Sequence, residues 1–196
     1  NFKISGRFEF TDAVALRATA STGFRAPSLQ QQYFQSTATN FIATPQGTLP
    51  FDIVTFRVTN PAAIALGAEP LRAEESTNYS LGLVLQPAQA LYVTIDAYQI
   101  DVDDRIVLSS NLTGDAVRNL LQSQGIYGVN GGRYFTNAID TRTRGVDVVG
   151  SYRFDFGASS LDLTAGYNHT RTEITRIAAN PDALSQNGLN LERIDR

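Results

Sequence analysis

The chain has 196 residues and a formal net charge of −3, so it suits one domain or two small ones and lacks the basic surface that nucleic-acid binding needs. It contains no cysteine and one histidine, which excludes a disulfide framework, thiolate chemistry and a metal site built on two histidines. No apolar run approaches the ~20 residues of a membrane helix. Membrane-crossing β-strands are not excluded, because their sequence signal is weaker than that of a membrane helix.

The chain contains no methionine, so Asn1 is not a translation start. It also begins within a strand pattern and ends without a terminal feature. A signal peptide would lie upstream of such a start. We therefore expect the chain to be a piece of a longer protein.

Six segments alternate apolar and polar residues at period two, which is typical of strands with one apolar face. The first two form a hairpin around Asp12, and Pro27 ends the second. Near Tyr98 the apolar phase changes, so that Ile100 and Val102 fall on the other parity. A β-bulge, or an exit from the apolar layer, explains such a change. The predicted strands of this one partial barrel domain (1–196) are residues 2–10, 14–22, 74–86, 91–108, 133–155 and 160–174.

The last hairpin, around Gly157, has the clearest pattern. Its polar side carries residues such as Asp147 and Asp162. What lies against its apolar row decides the function of the chain. That row comprises Val146, Val148, Gly150, Tyr152, Phe154, Leu161, Leu163, Ala165 and Tyr167.

Two long connections, residues 26–72 and 109–132, separate the hairpins. In the first, Ser28 and Gln31 have capping-box spacing, which predicts a short helix from Leu29 to Phe34. The remainder of that connection shows little periodicity, apart from a candidate strand at Phe51–Val58.

The second long connection predicts a helix that begins after Leu112. Thr113 is its predicted N-cap, and Asp115 suits the positive end of the helix. Gly125 is the predicted stop. A glycine-rich segment from Tyr127 to Arg133 then leads into the next strand.

The connections alternate short and long along the chain. In an up-and-down meander this order places the short turns at one rim and the long loops at the other, as in outer-membrane barrels. Strands of about 10 residues or more suit a tilted crossing, and aromatic residues gather beside the short turns. The pattern predicts an all-β fold, an antiparallel up-and-down meander that forms part of a transmembrane β-barrel, with short helices in the long outer loops. A soluble β-sandwich, whose strands also alternate, is the alternative.

Four segments, Leu16–Gln31, Glu74–Gly82, Asp96–Ile106 and Phe135–Asp147, carry motifs that fall on the expected strands. The first contains the run Gly-Phe-Arg-Ala-Pro-Ser-Leu. In this order the four resemble the motifs of TonB-dependent outer-membrane receptors, and the resemblance covers roughly residues 1–170. It implies a ~22-stranded barrel with a plugged lumen. This chain would supply about six adjacent strands from its later part, without the plug or the C-terminal strand.

The resemblance also implies a function. Such a receptor lies in the bacterial outer membrane and takes up a scarce ligand such as an iron–siderophore, haem, cobalamin or an oligosaccharide. Uptake is driven by TonB through a plug domain that is not in this chain. The implied partners are the ligand, bound through the outer loops, and the lipid bilayer, with no nucleic acid, no cofactor and no enzyme activity. The alternatives are a passive porin or adhesin barrel and a soluble β-rich binding or hydrolytic domain.

Some residues suggest a sharper chemistry. His169 is a candidate metal ligand or axial haem ligand, although one histidine without cysteine supplies few ligands for a metal site. Asp101, Asp103 and Asp104 offer carboxylates to Ca²⁺ but lack an EF-hand spacing. Solvated acids at the point where a strand leaves the membrane are the alternative reading.

The paired strands also bring two carboxylates, Asp147 and Asp162, to one face, as an acid and base for glycoside hydrolysis would require. In a barrel the same residues line a wet lumen. Gly128–Arg133 lacks the ending of a phosphate loop. The aromatic-rich segment Tyr33–Arg57 either contacts a ligand or packs on its own neighbours. We predict no catalytic, cofactor-binding or metal-binding residue in this chain.

Overall fold

The computed structural model of the chain describes residues 1–44, 47–182 and 184. Within these residues no helix is long and apolar enough to cross a bilayer. The strands are β1 (Phe2–Thr11), β2 (Val14–Arg25), β3 (Ser36–Thr44), β4 (Gly47–Phe56), β5 (Glu74–Ala88), β6 (Leu91–Leu108), β7 (Leu112–Thr113), β8 (Gly131–Asp155) and β9 (Ser160–Ile177). The helices are α1 (Leu29–Tyr33), α2 (Pro61–Ala65) and α3 (Asp115–Ser123).

The chain divides into two units. The strand unit comprises Asn1–Phe24, Glu75–Asp103 and Asp140–Thr175. The loop unit comprises Arg25–Glu74, Asp104–Ile139 and the described residues from Arg176 onward. Both long connections therefore belong to the loop unit, while the strand unit is built from the alternating segments.

The strand unit is an up-and-down meander in the order β1-β2-β5-β6-β8, with β9 paired to β8. Its three turns are short. Thr11 pairs with Val14, Ala88 pairs with Leu91, and the Phe156 amide donates to the Ser159 carbonyl at 2.8 Å. The six strands of this meander begin and end within three residues of the predicted bounds, because period-two alternation is a strong local signal.

The two faces of the strand unit differ in polarity. One face carries the apolar row, which we call the outward row, and it is exposed: Ile4 is 60% exposed, Leu163 51% and Tyr167 64%. The opposite, inward face carries polar contacts between strands, such as the Arg153–Asp162 pair at 2.7 and 3.0 Å. The apolar row is therefore not sealed in a core, whereas a soluble β-sandwich requires a buried apolar face.

The register of β5 and β6 explains the change of phase near Tyr98. Their pairing is continuous from Glu75–Asp103 to Leu85–Val93, so no bulge interrupts it at Tyr98. Instead, the outward row of β6 passes from apolar residues up to Ala97 to the polar residues that follow it. The apolar layer ends there, and Ile100 and Val102 share the inward face with Tyr98. The polar residues that continue the outward row are Gln99, Asp101 and Asp103.

The first long connection has more regular structure than its sequence indicates. The capping box of Ser28 and Gln31 is present, and α1 follows it as predicted. Beyond it, β3 and β4 form an antiparallel hairpin, and β4 pairs in parallel with the start of β8. The candidate strand at Phe51–Val58 is confirmed by β4, which includes Phe51 to Phe56. The expectation of an irregular segment was wrong at β3, whose pairing with β4 leaves no clear local periodicity.

The loop unit contains the main apolar core. It packs α2 and α3 against β4 and the start of β8. Helix α3 differs from the prediction at its start: Thr113 lies in β7, and Gly114 is the N-cap without a side-chain cap. The stop at Gly125, with a φ of 76°, follows the helix as expected. The core residues are Val54, Phe56, Ala62, Ala63, Leu66, Ala68, Leu112, Val117, Leu121, Tyr134 and Leu184.

Candidate functional site in the loop unit

An ion pair joins the two ends of the first long connection. Arg25, at the end of β2, donates from Nε to Glu74 at 2.8 Å, and its terminal nitrogen contacts the other carboxylate oxygen. The same carboxylate accepts the backbone amide of Ile106 at 2.8 Å. The Glu74 side chain is 8% exposed and that of Arg25 is 59% exposed. Glu74 therefore binds two other chain segments, at Arg25 and at Ile106, from a nearly buried position.

The pKa of Glu74 follows from these contacts. Burial raises it, but the hydrogen bonds from Arg25 and the Ile106 amide, together with the positive charges of Arg25 and Arg105, lower it further, so the net pKa lies below the ordinary value of 4.5. A carboxyl with a lowered pKa stabilises the fold fully above its unfolded value and loses that contribution as pH falls through the folded value.

This sign gives a pH prediction for Glu74→Gln. We expect the stability difference between the native protein and the variant to be largest above the ordinary glutamate pKa and to shrink in acid. Hydrogen exchange of the Ile106 amide, followed across pH after correction for intrinsic exchange, measures that difference. A pH-independent difference would contradict the role of the charge. Asp115→Asn, at an exposed pair with Arg118, is the matched control.

A second link holds the loop core to the start of β8. Tyr134 is fully buried, and its hydroxyl donates to the Leu66 carbonyl at 2.9 Å. Its backbone amide donates to Ser109 Oγ at 3.1 Å. Gly132 lies beside Phe56, and an added Cβ there would overlap the phenyl ring. The loop unit is therefore a packed support for its surface, not a set of free loops.

A polar pocket of about 320 Å³ opens in this unit. Asn137 shapes one side: its oxygen accepts the Arg72 amide at 2.9 Å, and its nitrogen donates to the carbonyls of Arg72 and Asp104. The Arg72 guanidinium reaches Asp104 at 3.2 Å. Glu69 and Asp182 also line the pocket. The pocket therefore presents hydrogen-bond donors, hydrogen-bond acceptors and side chains of both charges to a small polar molecule.

The aromatic residues of the first long connection serve two different roles. Phe56 is buried in the core, so part of the segment packs on its own neighbours. Tyr33, Phe34 and Phe41 are exposed, as is Tyr127 in the second long connection. Exposed aromatics on a packed support are suitable for contacting a large ligand.

The candidate metal residues do not converge. His169 is exposed on β9, and Asp101 binds Arg142 at 2.5 Å. Asp104 pairs with Arg72 and Arg176 at 3.2 and 3.3 Å. In the described part of the chain no three His, Cys, Asp or Glu side chains group to hold a metal ion.

The paired carboxylates have separate neighbours. Asp162 is held by Arg153, and Asp147 accepts a hydrogen bond from Asn168. Gly131 and Gly132 begin β8, where they allow close packing and do not form a phosphate loop. No local pattern predicts the Arg25–Glu74 contact, because 49 residues separate the partners.

Comparison with solved structures supports the same fold. The chain is similar to the RagAB peptide transporter (14% identity, TM-score 0.57), covering 91% of this chain and 18% of that one. It is also similar to a mutant of the ferric enterobactin receptor PfeA from Pseudomonas aeruginosa (18% identity, TM-score 0.53), covering 84% and 21%. The chain thus spans about a fifth of the length of these proteins. No curated protein matches the sequence significantly.

The family comparison extends over almost the whole chain. The family described as "TonB dependent receptor-like, beta-barrel" matches residues 1–195. Barrels of this family belong to the bacterial outer membrane and to receptors that transport ligands. The match agrees with the meander, the exposed apolar row and the long connections described above. The chain is therefore a member of the TonB-dependent receptor β-barrel family.

Proposed function

We propose that this chain forms part of the wall and outer loops of an outer-membrane receptor that takes up a scarce ligand with energy supplied through TonB. The ligand class we propose is an iron–siderophore, haem, cobalamin or an oligosaccharide. The loop unit contributes to ligand capture, and the strand unit separates the lumen from lipid. The chain carries out no covalent chemistry of its own.

The observation that carries this proposal is the two-sided strand unit. On β8 the outward row runs from Val146 to Phe154, roughly 26 Å along the strand at 3.3 Å per residue. At the tilt of about 40° that barrel strands have, this path rises about 20 Å, most of the apolar band of about 25 Å on outer-membrane barrels. On the inward face, Arg17 binds Asp96 at 3.0 and 2.6 Å, and Tyr98 binds Thr170 at 2.7 Å. Lipid on the outward side explains the exposed apolar row, and water on the inward side explains the polar contacts.

The proposed mechanism divides the work between this chain and the rest of the receptor. Exposed aromatics and the polar pocket of the loop unit help to hold the ligand at the cell surface. A plug domain outside this chain then moves when TonB acts on it, which opens a path along the polar inward face. Strands rigid enough to resist this movement are expected of a barrel wall.

Uptake under iron limitation tests the proposal. Cells with and without the gene for the intact receptor are compared for outer-membrane protein profile and for uptake of labelled ferric siderophore, haem, cobalamin and oligosaccharide. We expect one ligand to require both the receptor and TonB. If uptake of all four ligands is independent of both the receptor and TonB, the proposal is contradicted.

Conductance separates an energised receptor from a passive channel. The intact receptor in liposomes is expected to stay closed, because the plug fills the lumen. A steady open conductance would favour a porin instead.

A further inference from the structure

A groove on the outward face of the strand unit has a composition that the transport function does not explain. Its volume is about 810 Å³, within the range of small-molecule sites. Small outward residues form its floor, and larger apolar ones stand beside them. The floor residues are Gly6, Ala18, Ala20 and Ala97, and the flanking ones are Ile4, Tyr79 and Leu81.

The groove is open at its β1 end. Gly6 pairs with Ala18 across β1 and β2, and no atom lies within 4 Å of the position that a Cβ on Gly6 would occupy. Two inward glycines differ: a Cβ on Gly82 would meet Arg17 and Asp96, and a Cβ on Gly145 would meet the ring of Tyr98, whereas the inward Gly166 is as open as Gly6. Gly6 therefore leaves room on the outward surface of β1 for an added group.

One end of the groove is positively charged. Arg144 and Gln99 line that end, where the outward row changes from apolar to polar. Arg144 Nε donates to the neutral Gln99 side chain at 2.8 Å. The nearby carboxylate of Asp101 is occupied, since it accepts from Arg142 at 2.5 Å and from Gln99 at 2.6 Å. Of the described residues that line the groove, Arg144 alone is charged, and Arg142 and Asp101 form an ion pair beside it.

We propose that this groove binds a membrane lipid with an anionic phosphate headgroup, with its acyl chain over Gly6 and its phosphate at Arg144. This inference rests on the proposed function, which places the outward row in a bilayer. An apolar channel that ends in a guanidinium is complementary to an anionic amphiphile, and guanidinium groups bind phosphate with paired hydrogen bonds. Lipid tails are as apolar as the groove, so the acyl chain is retained by close packing over the small residues. Arg144 selects the headgroup.

Two variants remove the two parts of this site. Gly6→Phe fills the open space, and because nothing lies near its Cβ the substitution fits the strand. Arg144→Gln removes the positive charge. Ala165→Phe places the same side chain on the outward row of β9, and Arg171→Gln removes an outward arginine of β9. Neither control residue lines the groove.

Native mass spectrometry of the intact receptor, titrated with phosphatidylglycerol and with phosphatidylcholine, measures lipid binding. We expect Arg144→Gln to weaken phosphatidylglycerol binding about fivefold, as suits the loss of one arginine near an anionic lipid, and to leave phosphatidylcholine unchanged. Gly6→Phe should weaken both lipids, and the two controls neither. Equal phosphatidylglycerol binding by all five proteins would overturn the lipid site.

A separate measurement distinguishes failure of the lipid site from failure of the proposed function. Each protein is first located by membrane fractionation and assayed for ligand uptake. A receptor absent from the outer membrane would overturn the proposed function and the lipid site together. A receptor that lies there and transports ligand, but whose groove variants bind phosphatidylglycerol like the native protein, would overturn the lipid site alone.

Discussion

Leu163→Arg is expected to prevent stable assembly of the barrel, whereas Thr164→Arg, one residue later, is tolerated. Leu163 belongs to the outward row and is 51% exposed. An arginine facing lipid costs about 2–4 kcal/mol at the bilayer midplane and less toward the interfaces, since a charge is moved out of water. Thr164 faces inward, where it bonds Ser151 at 3.0 Å. An arginine there stays in water, and the loss of one exposed hydroxyl contact costs about 1 kcal/mol.

Heat-modifiable mobility of the intact receptor in gel electrophoresis reports assembly, and denaturant unfolding in lipid vesicles reports the free-energy difference. The adjacent positions make each variant the control for the other, because charge and side-chain size are the same. Equal loss of stability in both variants would show that β9 does not separate lipid from water.

Tyr134→Ala is expected to unfold the loop unit locally, with a loss of about 3–5 kcal/mol. The side chain is fully buried, and truncating a large aromatic leaves a cavity that the surrounding core fills only in part. The variant also leaves the Leu66 carbonyl without the hydroxyl that binds it at 2.9 Å. Tyr134→Phe keeps the ring and loses that hydrogen bond alone, so we expect a cost of about 1 kcal/mol.

Hydrogen exchange in the intact receptor measures this effect where it occurs. Amides of α3 should lose protection strongly in Tyr134→Ala and slightly in Tyr134→Phe. Amides of β1 and β2, which belong to the strand unit, serve as the internal reference. Equal protection of the α3 amides in both variants would show that the buried ring contributes little to the core.

The strand unit could be predicted from the sequence because its information is local. Alternation at period two located all six long strands, and the turns at Asp12 and Gly157 follow from short polar segments between them. The capping box at Ser28 placed α1 for the same reason. The polarity change after Ala97 was visible as a change of phase, although the register was needed to choose between a bulge and the end of the apolar layer.

The loop unit resisted prediction because its contacts are long-range. The β3–β4 hairpin is completed by parallel pairing of Ile53 with Gly131, which no local pattern reveals. The Arg25–Glu74 pair and the burial of Tyr134 likewise join distant segments. At α3, Thr113 had the better propensity for an N-cap, but Leu112–Thr113 pairs with β8 and shifts the cap to Gly114.

The central claim is that the outward row faces lipid and the inward row faces water. The chain contains no cysteine, so single cysteines from Val146 to Phe154 can carry spin labels in the intact receptor, after replacement of any other cysteine it contains. In bilayers we predict that labels at even-numbered positions collide with oxygen dissolved in lipid and that labels at odd-numbered positions collide with a water-soluble nickel complex. A series without this alternation, or one in which the even-numbered positions meet the nickel complex, would contradict the account.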